Sequence, residues 1–296
     1  MTAAYQPVII IGAPRSGTNM LRDVLCALPG FGTWPCDEIN YIWRHGNAGF
    51  PTDEFAPLQA TPRVRQYIAR RFDRLAASRG ATHVVEKTCA NSLRVAFVDR
   101  VVPQAKYVLL VRDGRDAIAS ALRRWSAPLD LAYVAQKARF VPLADLPYYA
   151  FRYAANRNYR LWSGEKRLAT WGPRFSGMRE MLAERTLAEV CAQQWRRCVE
   201  VASRDLTAIG GDRVIGLRYE DFVARPDDEL QRLLDFLGAG ATPFERGTAV
   251  RDVSSKNRGK WRSALDVETL DRVAPIIDGT LAKFAYLPEH PSRKAA

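Results

Sequence analysis

Two arginines sit where turns could aim them at an anion. Arg15 lies within Gly12-Ala13-Pro14-Arg15-Ser16-Gly17-Thr18-Asn19, between an apolar, β-branched run (Pro7 to Ile11) and helical periodicity at Met20, Leu21, Val24, Leu25 and Leu28. A loop joining a buried strand to a helix turns successive backbone N–H groups and the helix N-terminus toward one point, where an anion can be cradled. Arg15 adds a fixed charge there, and its planar fork suits a pair of non-bridging oxygens. Arg112 follows a second strand-like run, Tyr107 to Val111, and Ser120 falls within the helix that begins after it. Ligands of open α/β sheets bind at the carboxyl ends of strands, so Arg112 and Ser120 could hold a second anionic group. The alternative is local pairing of Arg112 with Asp113 or Asp116, and of Ser120 with its own helix.

The G-x-x-x-x-G spacing of the first loop is that of nucleoside-triphosphate loops, but Thr18 and Asn19 replace the phosphate-binding lysine and the magnesium-binding hydroxyl. A kinase or NTPase would need both. The five cysteines, Cys26, Cys36, Cys89, Cys191 and Cys198, are spread without C-x-x-C spacing, and His45, His83 and His290 are far apart. Neither a zinc site nor a disulfide framework is expected. Cys191 and Cys198, one heptad apart beside Val190, Trp195 and Val201, read as packing on a helix face.

The elements that must position these residues alternate. Strands are expected at Pro7 to Ile11, Val84-Val85, Tyr107 to Val111 and Val214 to Leu217, with helical spacing at Ala117 to Leu122 and Leu230 to Leu237. Thr61-Pro62 caps an amphipathic helix with Val64, Ile68, Phe72 and Leu75 on one face, and a longer helix runs from Thr186 to Ile209. This pattern predicts an α/β fold: three layers, with a central, mainly parallel sheet between helices. Between Arg123 and Arg185 the pattern breaks up, and ten arginines mingle with Trp125, Tyr133, Tyr148, Tyr149, Tyr153, Tyr159, Trp162 and Trp171. We read one domain over 1–296, with its core at about 7–124 and 186–262 and a helical insertion at about 125–185.

Of 296 residues, 44 are Lys or Arg and 32 are Asp or Glu, giving +12, with 47% hydrophobic content. The chain is therefore expected to be folded and basic, and an anionic partner fits it. A non-catalytic nucleic-acid binder would explain the charge but does not require an Arg15 loop followed by an Arg112/Ser120 pair. No apolar run approaches the roughly 20 residues needed to span a bilayer. Met1 to Pro7 lacks signal-peptide character, so a cytoplasmic protein is expected, with peripheral membrane contact still open.

Ala13-Pro14-Arg15-Ser16-Gly17-Thr18 resembles the 5′-phosphosulfate loop of sulfotransferases that use 3′-phosphoadenosine 5′-phosphosulfate (PAPS) and release 3′-phosphoadenosine 5′-phosphate (PAP). Arg112 and Ser120, eight positions apart, are similar to that family's 3′-phosphate motif, and Glu86-Lys87-Thr88 to its E-K-T segment, whose lysine lies near the transferred group. Arg218-Tyr219-Glu220-Asp221 resembles the family's Y-E-D, whose tyrosine helps to hold adenine. Ser254 to Arg262 is similar to its late basic loop, making Lys256, Arg258, Gly259 and Lys260 candidates for the 3′-phosphate.

The resemblance implies a PAPS-dependent sulfotransferase with Arg15, Ser16, Gly17, Thr18 and Asn19 around the 5′ end of the donor and no metal requirement. A sulfuryl group carries less charge than a phosphoryl group, so fixed cations and backbone donors can serve the leaving phosphate. An acceptor hydroxyl needs a base. The family commonly carries a glutamate after the first helix, which implies Glu38 as base, with Asp37 as the rival and a solvated acidic turn as the structural alternative. Lys87 is expected at the bridging oxygen, with Arg15 as its catalytic partner. The Arg/aromatic-rich stretch suits a carbohydrate or glycolipid acceptor, while the oligomeric state is not legible.

Overall fold

The computed structural model describes residues 5–125, 139–151, 154–155 and 170–286. Five strands form one all-parallel sheet in the order β2-β3-β1-β4-β5: β1 is Gln6–Ile11, β2 Phe31–Gly32, β3 His83–Lys87, β4 Lys106–Val111 and β5 Val214–Arg218. The α/β class and the parallel sheet agree with the sequence reading. The edge strand β2 was not anticipated: two residues beyond the Pro29-Gly30 turn carry no periodicity.

The sheet is covered on both faces because β1 is apolar on both. Val8 and Ile10 pack with Leu21, Val24 and Leu25 of the loop helix (Thr18–Cys26) and with Leu230, Leu233 and Leu234 of helix Pro226–Leu237. Ile9 and Ile11 point the other way, to Val64, Ile68 and Phe72 of helix Pro62–Arg79. All four β1 side chains are fully buried, each worth about 1.5–3 kcal/mol of hydrophobic stabilisation. Thr61 accepts from the Val64 N–H and Gly80 ends that helix in the left-handed conformation, as the capping pattern predicts.

The long helix, Leu187–Ile209, starts at a Thr186/Glu189 capping box and buries Val190, Cys191, Trp195, Cys198 and Val199. These pack against helix Gly114–Trp125 and the C-terminal helix Val267–Lys283, which the sequence reading did not place. Of the expected insertion, 126–138, 152–153 and 156–169 lie outside the described residues, including Tyr133, Tyr153, Tyr159 and Trp162. Within it, 146–151 and Met178–Glu184 are helical. No helix among the described residues is long and apolar enough to cross a membrane.

Parallel pairing brings every strand's carboxyl end to one rim. Ile10 is paired with Lys87, Ile11 with Leu109, and Val111 with Arg218, so the residues that follow each strand meet.

Candidate active site

The loop after β1 is held from three sides. Arg15 adopts φ 68°, a conformation uncommon for a side-chain-bearing residue, and Gly17 follows at φ 90°. Only glycine fits at 17, since a Cβ there would lie 2.5 Å from Cδ2 of Tyr219. Arg15 Nε donates to Ser120 Oγ at 2.9 Å, and Arg112 Nη1 donates to the Arg15 carbonyl at 2.9 Å. The Arg112 guanidinium lies over the Tyr219 ring, 4.4 Å from its centroid, in cation–π contact. Arg15, Ser120, Arg112, Gly17 and Tyr219 thus form one contiguous cluster, tighter than two separate pockets.

The late loop closes this cluster through its backbone. Arg112 Nη2 donates to the Asn257 carbonyl and lies 3.5 Å from Asp116 Oδ2. Asp116 accepts from the Gly259 N–H at 2.7 Å and the Trp261 N–H at 2.9 Å. Of the residues expected there, Gly259 is brought in, Lys260 Nζ turns to Asn257 Oδ1 at 2.9 Å, and Lys256 and Arg258 are exposed. Asn19 is exposed in the first turn of the loop helix. Asp116 was missed because an acid one turn after Arg112 reads as its local ion partner.

Two buried polar atoms in the cluster have no hydrogen-bond partner: Ser16 Oγ and Arg112 Nε. A buried donor left unmade costs about 1–3 kcal/mol. Arg15, although exposed as a residue, has its guanidinium held below the ordinary arginine range by partial burial and by Arg124, Arg112 and Arg123. Crowded cations and unmade donors at a helix N-terminus are what an anionic ligand would relieve.

Beside this cluster, at the end of β3, Lys87 Nζ pairs with Glu38 Oε1 at 3.1 Å, and the Cys89 N–H donates to the same oxygen at 3.2 Å. The Lys87 side chain is only 2% exposed, against 25% for Glu38. Burial opposes the lysine's charge, but Glu38, Cys89 and Asp37 outweigh it and hold Lys87 above its usual range. Asp37 adds to the field on Lys87, and Glu38 makes the 3.1 Å contact. Thr18 Oγ1 lies 3.8 Å from Cys89 Sγ, joining the loop helix to this second group.

Glu38 is supported by a buried polar network rooted in Glu86. Thr88 Oγ1 donates to Glu86 Oε1 at 2.6 Å and accepts from the Ile39 N–H at 3.2 Å. Asn91 donates to Glu86 Oε2 at 3.0 Å, Arg94 Nε donates to Asn91 Oδ1 at 2.9 Å, and Arg94 Nη2 donates to Asn40 Oδ1 at 2.6 Å. Both branches end on the residues just after Glu38. Burial pushes the Glu86 carboxyl up to about 7, offset only in part by Thr88, Lys87 and Arg94. Behind them Asp53 pairs with Arg44 at 2.7 Å, and despite its burial the cations Arg94, Arg44 and Arg174 hold it below the carboxylate range.

A model of the sulfotransferase family matches residues 7–162 and 157–243. The chain belongs to the sulfotransferase family. The sulfotransferase domain of the curacin biosynthetic pathway is similar at 16% identity and TM-score 0.53, over 96% of this chain and 98% of that one. Sulfotransferase STF9 from Mycobacterium avium is similar at 14% and 0.53, over 96% and 78%. Mouse sulfotransferase SULT7A1, whose structure was determined with PAP, is similar at 12% and 0.51, over 94% and 84%. At these identities the likeness shows the fold. In this sulfotransferase the family match spans Arg15, Glu38, Lys87, Arg112, Ser120 and Tyr219 and stops short of the late loop.

Proposed function

We propose that this sulfotransferase moves the sulfuryl group of PAPS to an acceptor hydroxyl, with Glu38 as base and Lys87 at the leaving oxygen. One observation carries the reading: a buried lysine and a more exposed carboxylate, paired at 3.1 Å, stand at the end of β3 beside a cluster whose Ser16 Oγ and Arg112 Nε have no partner. The Gly12 to Gly17 turn and the Thr18 N-terminus would receive the 5′-phosphosulfate, Arg112 and Ser120 the 3′-phosphate, and Tyr219 the adenine edge. Asn257 and Gly259 of the late loop are already tied to this end by backbone bonds.

Without donor, Lys87 and Glu38 neutralise one another. Donor arrival gives Lys87 a second anion, the bridging oxygen, and releases Glu38 to accept a proton. The acceptor oxygen then bonds sulfur while its proton passes to Glu38. The bond from sulfur to the bridging oxygen breaks, and its electron pair stays on the 5′-phosphate of PAP, where Lys87 and the loop donors stabilise it.

We assign the acceptor to the carbohydrates or glycolipids. The support is that Tyr149 of the Arg/aromatic-rich stretch packs edge-on against Tyr41 at 4.6 Å, three residues from Glu38, with Tyr148 beside it at 5.2 Å. Tyrosines at the edge of a site offer apolar ring area with a polar hydroxyl handle, which suits the mixed surface of a sugar. Incubation with [35S]PAPS and a panel of saccharides, glycolipids, phenols and peptides tests this. We expect label on a saccharide, with Lys87→Ala and Glu38→Gln each lowering turnover by about 10²-fold or more, far more than either lowers affinity for the PAPS donor. Transfer to phenols or peptides alone would overturn the acceptor class, and full turnover in either variant would remove that residue from the mechanism.

A further inference from the structure

Arg112 lies just past the last residue of β4, where the sheet no longer supplies hydrogen-bond partners. Its backbone is nonetheless fixed by side chains from three distant elements. The Arg112 carbonyl accepts from Trp195 Nε1 of the long helix at 3.2 Å. The Asp113 N–H donates to Glu220 Oε1 at 3.1 Å. The hydroxyl of Tyr286, beyond the C-terminal helix, lies 2.6 Å from Glu220 Oε2 and 3.2 Å from the Val111 carbonyl.

A phenol has one proton, and at 2.6 Å from a carboxylate it is donated to Glu220 as a hydrogen bond. Glu220 is therefore held on both oxygens, by a main-chain N–H on one and by Tyr286 on the other. Tyr286 is buried with the core of the long helix, and the Arg218 guanidinium lies 4.5 Å from its ring centroid. Gly114 completes the fit, because a Cβ there would lie 2.9 Å from two ring carbons of Trp195. Glu220 also follows Tyr219 directly, so the element that fixes the Asp113 peptide carries the ring stacked on Arg112.

We propose that Tyr286 is a positioning residue for the 3′-phosphate end of the donor site: its hydroxyl orients Glu220, Glu220 fixes the peptide after Arg112, and the Arg112 fork is thereby aimed. This rests on the reading that Arg112 receives the 3′-phosphate. The role is local to one end of the nucleotide. Loss of the hydroxyl should therefore affect a ligand with a 3′-phosphate and spare one without it, which a general loss of packing would not do.

Calorimetric titration with PAP and with adenosine 5′-monophosphate separates these cases. The intact protein should prefer PAP, and Arg112→Ala should abolish that preference. Tyr286→Phe, which keeps the ring and its packing, should weaken PAP by about tenfold, the worth of one charge-assisted hydrogen bond, and the monophosphate by less than about twofold. Glu220→Gln leaves the tyrosine in place and should shift the same ratio in the same direction. If Arg112→Ala abolishes the preference while Tyr286→Phe and Glu220→Gln leave the ratio intact, with both affinities unchanged or falling together, the positioning role is overturned and the 3′-phosphate reading stands. If Arg112→Ala leaves the preference, or the intact protein has none, that reading fails and the inference with it.

Discussion

Glu86 ties Ile39 and Asn40, the two residues after Glu38, to the sheet through Thr88, Asn91 and Arg94, and it does so as a carboxyl almost wholly out of water. Its ordinary value near 4.5 is pushed up to about 7 by burial. Between those values the folded chain keeps a proton that the unfolded chain has released, so this group's contribution to stability falls as pH rises through that window. Above about 7 it is ionised in both states and the cost is fully present. Glu86→Gln has no such proton to lose. Relative to that variant, the wild type should lose on the order of 3 kcal/mol of unfolding free energy between about pH 4 and about pH 8, read from urea unfolding. A constant difference across that range would place the Glu86 carboxyl in an ordinary environment. Little of this could be seen in the sequence. Glu86-Lys87-Thr88 marks the segment, but only the fold shows that Glu86 and Lys87 are both buried and that the lysine, not the glutamate before it, faces Glu38.

At the scale of elements, the loop after β1 depends on the helix after β5. Gly17 combines φ 90° with a Tyr219 ring 2.5 Å from where a Cβ would stand. Gly17→Ala should cost roughly 1–2 kcal/mol for the left-handed backbone alone and push the loop off the ring, lowering both the unfolding free energy and PAP affinity. Unchanged PAP titration in a stable variant would show that the loop does not need the tyrosine at its back. The sequence revealed these elements where periodicity was strong. The faces of Pro62–Arg79 and of the long helix match their apolar spacing, whereas Pro226–Leu237 and Gly114–Trp125 begin earlier than their apolar residues show. Their first turns carry charge: Asp227, Asp228 and Glu229 in one, Arg115 and Asp116 in the other. Those charges suit a helix N-terminus or bind across the rim, so they contribute no apolar period. The late loop is tied to Asp116 through the main-chain N–H groups of Gly259 and Trp261, a link that the side chains of Lys256, Arg258 and Lys260 do not reveal in the sequence.

For the whole molecule, one parallel sheet with apolar cores on both faces brings Gly12, Thr88, Arg112 and Tyr219 to a single rim although they are spread over two hundred residues of chain. The order of strands β3-β1-β4-β5 is what places the Glu38–Lys87 pair on one side of the loop and Arg112 on the other. Tyr286 and Trp195 were not legible as part of this rim, because each is an apolar residue in a helical or terminal context whose single polar atom finds its partner only in the folded chain. All of these roles depend on where the nucleotide lies. A crystal structure of the protein with PAP should show the 5′-phosphate within the Gly12 to Gly17 turn against Ser16 and Lys87, and the 3′-phosphate on Arg112 and Ser120. A nucleotide bound away from that rim, or one with its 5′-phosphate turned from the Glu38–Lys87 pair, would contradict it.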